Sequence, residues 1–312
     1  WNRGRLLRSF VQLCLAAAYA HGQKVLHRDI KPENVIVGEF GEVQLLDWGV
    51  GARFEEILDP AFEVGEARGT PGYIPPEFLR DRAIEHPERA DVYALGAILY
   101  ELLTGSRPWA DLTAKEILDK TVDADPQPPR RRAPWSRIPP DLEEICVAAL
   151  ARDPALRIPT AQELARRIES ALAGEREAQR LQGEASGKVL EADVWLQRLD
   201  ALRQRIRQAE EEADIQRSRL VPWSRVEAKR LAWRAEDRAT ALRTQLDDAF
   251  DHAHRTLLSA IERVPDHAEA RQRLARLWWT RLEDDEERGD GRAARRSRAQ
   301  VELWDDGTLA AA

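Results

Sequence analysis

The chain has 312 residues, a third of them charged, with 48 basic against 55 acidic side chains and a net charge of −7. This length suits two domains, each able to bury a core of its own. The mild acidity argues against nucleic-acid binding, and no apolar run reaches the ~20 residues that a membrane span requires. From the start of the chain, Leu7, Phe10, Val11, Cys14, Ala17 and Ala18 keep a helical spacing up to a stop at His21-Gly22. Val25-Leu26, Val35-Ile36-Val37 and Val43-Gln44-Leu45-Leu46 predict short strands, the last two joined through Gly38 and Gly41. Asp91 opens a run to Tyr100 that is apolar on nearly every side, as a helix at the centre of a domain would be. A loop rich in Pro and basic residues follows from Pro126 to Pro140, with Arg130-Arg131-Arg132 read as solvated. Helical patterns resume at Leu142–Ala151 and Ala161–Leu172. Residues 1–173 therefore read as one mixed α+β domain that is mainly helical.

The texture then changes. Residues 174–188 are polar, with Gly183 and Gly187, and read as a linker. Over 189–312 no strand pattern remains. Leu199, Leu202, Ile206, Ala209, Ala213 and Leu220 keep a spacing of three to four up to Pro222. Ser224 and Glu227 form a capping-box signature. The helix they open carries Leu231, Ala235, Leu242, Leu246, Phe250, Leu257 and Ile261 as far as Pro265, and another runs through Leu274, Leu277, Trp278 and Leu282. The long segments on either side of Pro222 are expected to fold back as an antiparallel hairpin; a parallel coiled-coil dimer is the alternative. Residues 260–277 look like one tetratricopeptide-type junction without a repeat. A partner protein is the expected ligand of these helices, and the six tryptophans after residue 190 are expected in core packing. Cys14 and Cys146 read as reduced core thiols of a cytoplasmic protein. His252 and His254, two apart on a helix, make a poor metal pair. With no Met and Trp1 at its head, the chain is expected to be an internal piece of a longer protein.

Between two of the predicted strands lies His27-Arg28-Asp29-Ile30-Lys31-Pro32-Glu33-Asn34, and Asp47-Trp48-Gly49 directly follows the next. Over roughly residues 1–173 the chain resembles the bacterial eukaryotic-like Ser/Thr protein kinases, and these are the motifs that carry the resemblance. It implies the C-terminal lobe of a kinase fold, ATP and Mg²⁺ as cofactors, and protein substrates bearing Ser or Thr. By this resemblance Asp29 orients or takes the proton of the substrate hydroxyl. Lys31 meets the γ-phosphate, and Asn34 and Asp47 hold Mg²⁺. Trp48 stands where the family has Phe and should keep its apolar role beneath the site, next to Gly49. Gly69-Thr70-Pro71-Gly72-Tyr73-Ile74-Pro75-Pro76-Glu77 resembles the substrate-docking loop, with Pro75 in place of Ala. There Thr70 is expected to bond to Asp29 and Lys31, and Glu77 to pair with Arg157. Asp91 should hold the backbone of the catalytic loop.

No glycine-rich loop, strand lysine or partner-glutamate helix precedes Arg5, so phosphotransfer is expected of the full-length parent and not of residues 1–312 alone. A non-catalytic kinase-like scaffold is the alternative, against which stand the intact Asp29, Lys31, Asn34 and Asp47. Between Asp47 and Gly69 there is no Ser, Thr or Tyr. In such kinases the arginine at the place of Arg28 pairs with an activating phosphate, so Glu55, Glu56, Asp59, Glu63 or Glu66 is expected to stand in for one.

Overall fold

The computed structural model describes residues 3–59, 69–80, 84–221 and 223–307. The chain divides into two units, residues 1–175 and 176–312. The first begins with α1 (Arg3–Gly22), whose Leu7, Phe10, Cys14 and Ala17 form the buried stripe that the spacing predicts. Strands β1 (Val25–Leu26), β2 (Val35–Val37), β3 (Val43–Leu45) and β4 (Ala52–Arg53) follow. They make two small antiparallel ladders, Val35 opposite Leu45 in one and Val25 opposite Arg53 in the other. Gly41, at φ 96°, takes the left-handed turn that closes β2 on β3. Strand β4 has no signature in the sequence, because Ala52-Arg53 offers neither a β-branched nor an aromatic residue, whereas β1 has Val25.

After α2 (Phe54–Leu58) comes α3 (Glu88–Thr104), buried along almost its whole length and ended by Gly105 in the left-handed conformation. Helices α4 (Ala114–Asp123), α5 (Pro129–Arg132) and α6 (Pro140–Ala149) follow, and then α7 (Ala161–Ser218). A β-carbon at Gly96 would lie 2.8 Å from that of Ala149, so glycine is what lets α3 and α6 approach so closely. The core joins α1, α3, α6 and the first turns of α7, through residues such as Phe10, Leu95, Leu142 and Ile168. Cys14 and Cys146 are free and buried in it, and burial pushes both thiols well up. The predicted basic loop holds a helical turn, α5, where Arg132 pairs with Asp111 at 2.7 Å, and a 3-10 turn over Pro134–Ser136.

Residues 174–188, expected as a linker, are helical throughout. Arg180 reaches Glu177 at 2.7 Å and also Glu184, while Lys188 reaches Glu191 at 2.6 Å. Such pairs, three and four residues apart, support a polar helix. Three interior glycines, Gly174, Gly183 and Gly187, cost about 1 kcal/mol each, and burial of Ala185 and Val189 offsets part of this.

In the second unit α7 is followed by α8 (Val226–Arg263), α9 (Ala268–Glu287) and α10 (Gly291–Trp304). Ion pairs fix the direction of α8 along α7: Arg217 with Glu236, Glu210 with Arg243, Glu212 with Arg238 at 3.9 Å, and Glu184 with Arg263 at 3.4 Å. As one index rises the other falls, so the two helices form an antiparallel hairpin. Leu199, Leu202 and Ile206 share its core with Leu242, Leu246 and Phe250, and Leu274 and Leu277 of α9 join them. The capping box expected at Ser224 is not formed. Ser224 Oγ instead accepts the Val221 N–H at 2.9 Å, closing the turn on itself, and the helix starts one residue later from Arg225. Pro222 lies outside the described residues. Nor are the tryptophans all core, since Trp223 and Trp233 are exposed. Among the described residues no strand follows β4, and no helix is long and apolar enough to cross a membrane.

Candidate active site

The motif of residues 27–34 leaves β1 and re-enters the fold at β2, so both of its ends are held by strands. Its first two residues are also held by α3. Asp91, 1% exposed, accepts the backbone N–H groups of His27 through Oδ2 and of Arg28 through Oδ1, each at 2.9 Å. Arg28 has φ 71°, a conformation costly for any residue with a β-carbon, and two converging N–H groups on one carboxylate hold it there. His21 Nε2 donates to the same Asp91 Oδ2 at 2.8 Å. Burial by itself raises the Asp91 carboxyl, but the His21 contact and the two backbone donors outweigh it and hold the group below its usual range.

His27 is buried. Its Nδ1 accepts the Asp29 N–H at 3.3 Å, which assigns the ring proton to Nε2, and this donates to Leu46 O at 2.8 Å. The imidazole thus links the loop to the end of β3, immediately before Asp47. Lys31 Nζ donates to Asp29 Oδ2 at 2.7 Å and to Thr70 Oγ1 at 3.0 Å. Asn34 Nδ2 donates to Asp29 O at 2.8 Å and to Asp29 Oδ2 at 3.2 Å. One oxygen of Asp29 is therefore fixed by two donors. The other, Oδ1, is buried and has no hydrogen-bond partner among the described residues.

Asp47 stands across from this group. Leu46 N–H donates to Asn34 O at 2.8 Å, so the β2–β3 hairpin sets Asp47 beside Asn34. The residue has φ 60°, its carboxylate is exposed, and it forms no ion pair among the described residues. Oδ1 accepts only a long bond, 3.4 Å, from Gly49 N–H. Trp48 is less covered than expected. Its ring meets His27 edge-on at 4.6 Å, but Nε1 reaches back to Leu45 O at 3.0 Å, and 41% of the residue stays exposed. A carboxylate and an amide carbonyl are hard oxygen donors that suit Mg²⁺, an ion usually held by one or two carboxylates plus waters and phosphates. The described residues contain no cluster of three or more His, Cys, Asp or Glu able to hold a metal ion.

The loop of residues 69–77 is anchored at both ends. Thr70 is tied to Lys31, and Tyr73 donates to Glu101 Oε2 on α3 at 2.5 Å, with burial and that bond pushing the phenol well up. Glu77 and Arg157 form a two-pronged buried pair at 2.6 and 2.9 Å, with side chains 8% and 0% exposed. Arg157 also donates to Arg89 O and Ala151 O, and its guanidinium lies 5.1 Å from the Tyr93 ring centre. Arg28 donates to Val50 O at 3.3 Å and lies over Phe78. Of the acids expected as its partners, Glu55 and Glu56 are both engaged by Arg53, Asp59 follows α2, and Glu63 and Glu66 lie outside the described residues. His252 and His254 do not converge: one stacks on Trp195 and the other meets Trp278 edge-on.

The sequence reading missed His21 and Glu101. His21 continues the stripe of Cys14 and Ala17 at a spacing of four, and a polar residue on a core-facing stripe is the signal that pointed inward.

Residues 4–167 match the protein kinase domain family model. Over 167 residues the chain is 39% identical to the serine/threonine-protein kinase pkn3 of Myxococcus xanthus, covering 52% of this chain and 30% of the relative. It is 38% identical over 190 residues to the serine/threonine-protein kinase PknD of Protochlamydia amoebophila, and 37% identical over 186 residues to PknD of Chlamydia felis. Each of these matches covers 55% of this chain and 19% of the relative, so the chain spans less than a third of the relatives' length. The family model covers more than half of the residues, and the chain belongs to the protein kinase family.

Proposed function

We propose that the whole protein transfers the γ-phosphoryl group of ATP to Ser and Thr hydroxyls of protein substrates. The observation that carries this reading is the state of Asp29. One of its oxygens is locked by Lys31 and Asn34, and the other is buried with its acceptor capacity unused among the described residues. An acceptor fixed in this way is suited to orient a hydroxyl and take its proton as the oxygen attacks the γ-phosphorus and the bond to the leaving ADP breaks. Lys31, already joined to Asp29 and Thr70, brings positive charge to where phosphate charge is transferred, and Thr70 holds the docking loop beside the base. Asn34 and Asp47 are the residues to hold Mg²⁺, which when bound neutralises phosphate oxygens. His27, Asp91 and Arg28 position the loop; Glu77 and Arg157 support the docking segment.

The finer architecture belongs to the same proposal: a C-terminal kinase lobe over residues 1–173, then a helical region from 189 that serves partner binding or spacing, with a single tetratricopeptide-like junction at 260–277. Two free buried thiols support a reducing, cytoplasmic setting. In the full-length protein, Asp29→Ala should lower phosphotransfer to a Ser/Thr peptide by ~10²–10⁴-fold with circular dichroism unchanged. Undiminished transfer by that variant would sink the assignment.

A further inference from the structure

Residues 215–234, which span the turn between α7 and α8, carry six basic side chains and one acidic in a chain whose net charge is −7. Arg217 pairs with Glu236. Arg219, Arg225, Arg230 and Arg234 are exposed and form no ion pair among the described residues. Apolar side chains alternate with them. Trp223 is 82% exposed and Trp233 51%, and Val221, Val226 and Leu231 are exposed as well. Of the described residues in this stretch only Ala232 is buried. Elsewhere in the second unit such side chains find partners, as Trp195 does on His252 and Trp278 on Phe250. The turn therefore leaves Arg219, Arg225, Arg230 and Arg234 without an acidic partner among the described residues, and Trp223 and Trp233 largely in water.

We propose that this turn docks on an anionic lipid surface, as a peripheral contact that does not cross the membrane. The headgroup region offers both needs at one depth: negative charge for arginine, and an amphipathic boundary where the indole ring is favoured and aliphatic side chains leave water. Nucleic acid would answer the cations but leave Val221, Val226 and Leu231 in water. An acidic protein would need a pocket matched to two tryptophans on a turn. Lipid accepts the turn without such a match. The proposal stands apart from the kinase reading, since none of these residues belongs to the active site.

Cosedimentation of the full chain with vesicles tests it. Binding is expected to vesicles of phosphatidylcholine mixed with phosphatidylserine, to weaken with salt, and to be absent with phosphatidylcholine alone. Each of Arg219→Gln, Arg225→Gln and Arg230→Gln should weaken binding by about fivefold, and Trp223→Ser should weaken it further. Because these side chains are exposed, circular dichroism should not change. Equal binding to both kinds of vesicle, binding to neither, or indifference to the substitutions would overturn the proposal. So would capture by polyglutamate or duplex DNA without vesicle binding, which would assign the turn to an acidic protein or nucleic acid, or a dimer dissolved by Trp223→Ser, which would assign it to a second copy.

Discussion

Arg157 is held by both oxygens of Glu77 and by two backbone carbonyls, with no exposed side-chain surface. Removing it strands a buried carboxylate and two acceptors, so Arg157→Ala should destabilise the first unit by ~3–5 kcal/mol in thermal melts. The double variant Glu77→Leu with Arg157→Met leaves no stranded charge and should be less harmful than the single one; equal or greater damage would show that the pair itself is not what matters. Asp91 makes a different prediction. Asparagine there turns an –NH₂ donor or a single carbonyl toward three donors, His21 Nε2 and two backbone N–H groups, at a cost of ~1–3 kcal/mol. Because the folded-state carboxyl lies below its ordinary range, its contribution is complete above the unfolded value and is lost as pH falls through the lower folded value. Acidification below about pH 4 should therefore remove stability from the native protein that Asp91→Asn never had. A melting curve that falls equally in both proteins would refute that assignment. In the site itself, Asp29, Lys31 and Asn34 were legible through the resemblance of their short loop to a kinase motif. His21 was not, because its role depends on a partner 70 positions away.

At the scale of elements, legibility followed pattern length. Helix α3 was evident because almost every residue from Val92 to Tyr100 is apolar, and β2 and β3 because valines repeat around a glycine turn. Helix α7 was not read as one helix, since Gly183, Gly187 and a polar composition imitate a linker while the i, i+3 and i, i+4 ion pairs that sustain it leave no hydrophobic period. Gly96 has no signal of its own in the sequence, because its purpose, the close approach of Ala149, is a tertiary fact. The α7–α8 hairpin buries its Leu and Ala seam within one chain, with α9 laid on it. Residues 176–312 should therefore be monomeric in light scattering, and a stable dimer would favour a parallel coiled coil.

At the scale of the molecule, each unit keeps a core of its own: Phe10, Leu95, Leu142 and Ile168 in one, Leu199, Leu246, Leu257 and Leu274 in the other. Calorimetry should resolve two transitions, and Leu257→Ala, at ~2–5 kcal/mol, should lower only one of them. The ion pairs that set the direction of the hairpin also imply an order of events in folding. Arg217 and Glu236 are 19 positions apart, Arg243 and Glu210 33, and Arg263 and Glu184 79, so each closure shortens the loop left for the next. In the first unit Glu77 meets Arg157 across 80 positions, a closure that by itself costs roughly 1 kcal/mol more in loop entropy than the first hairpin pair. A chain built this way zips its second half from the turn outward, while the first waits for distant segments to meet. The half made later on the ribosome is thus the one equipped to fold sooner.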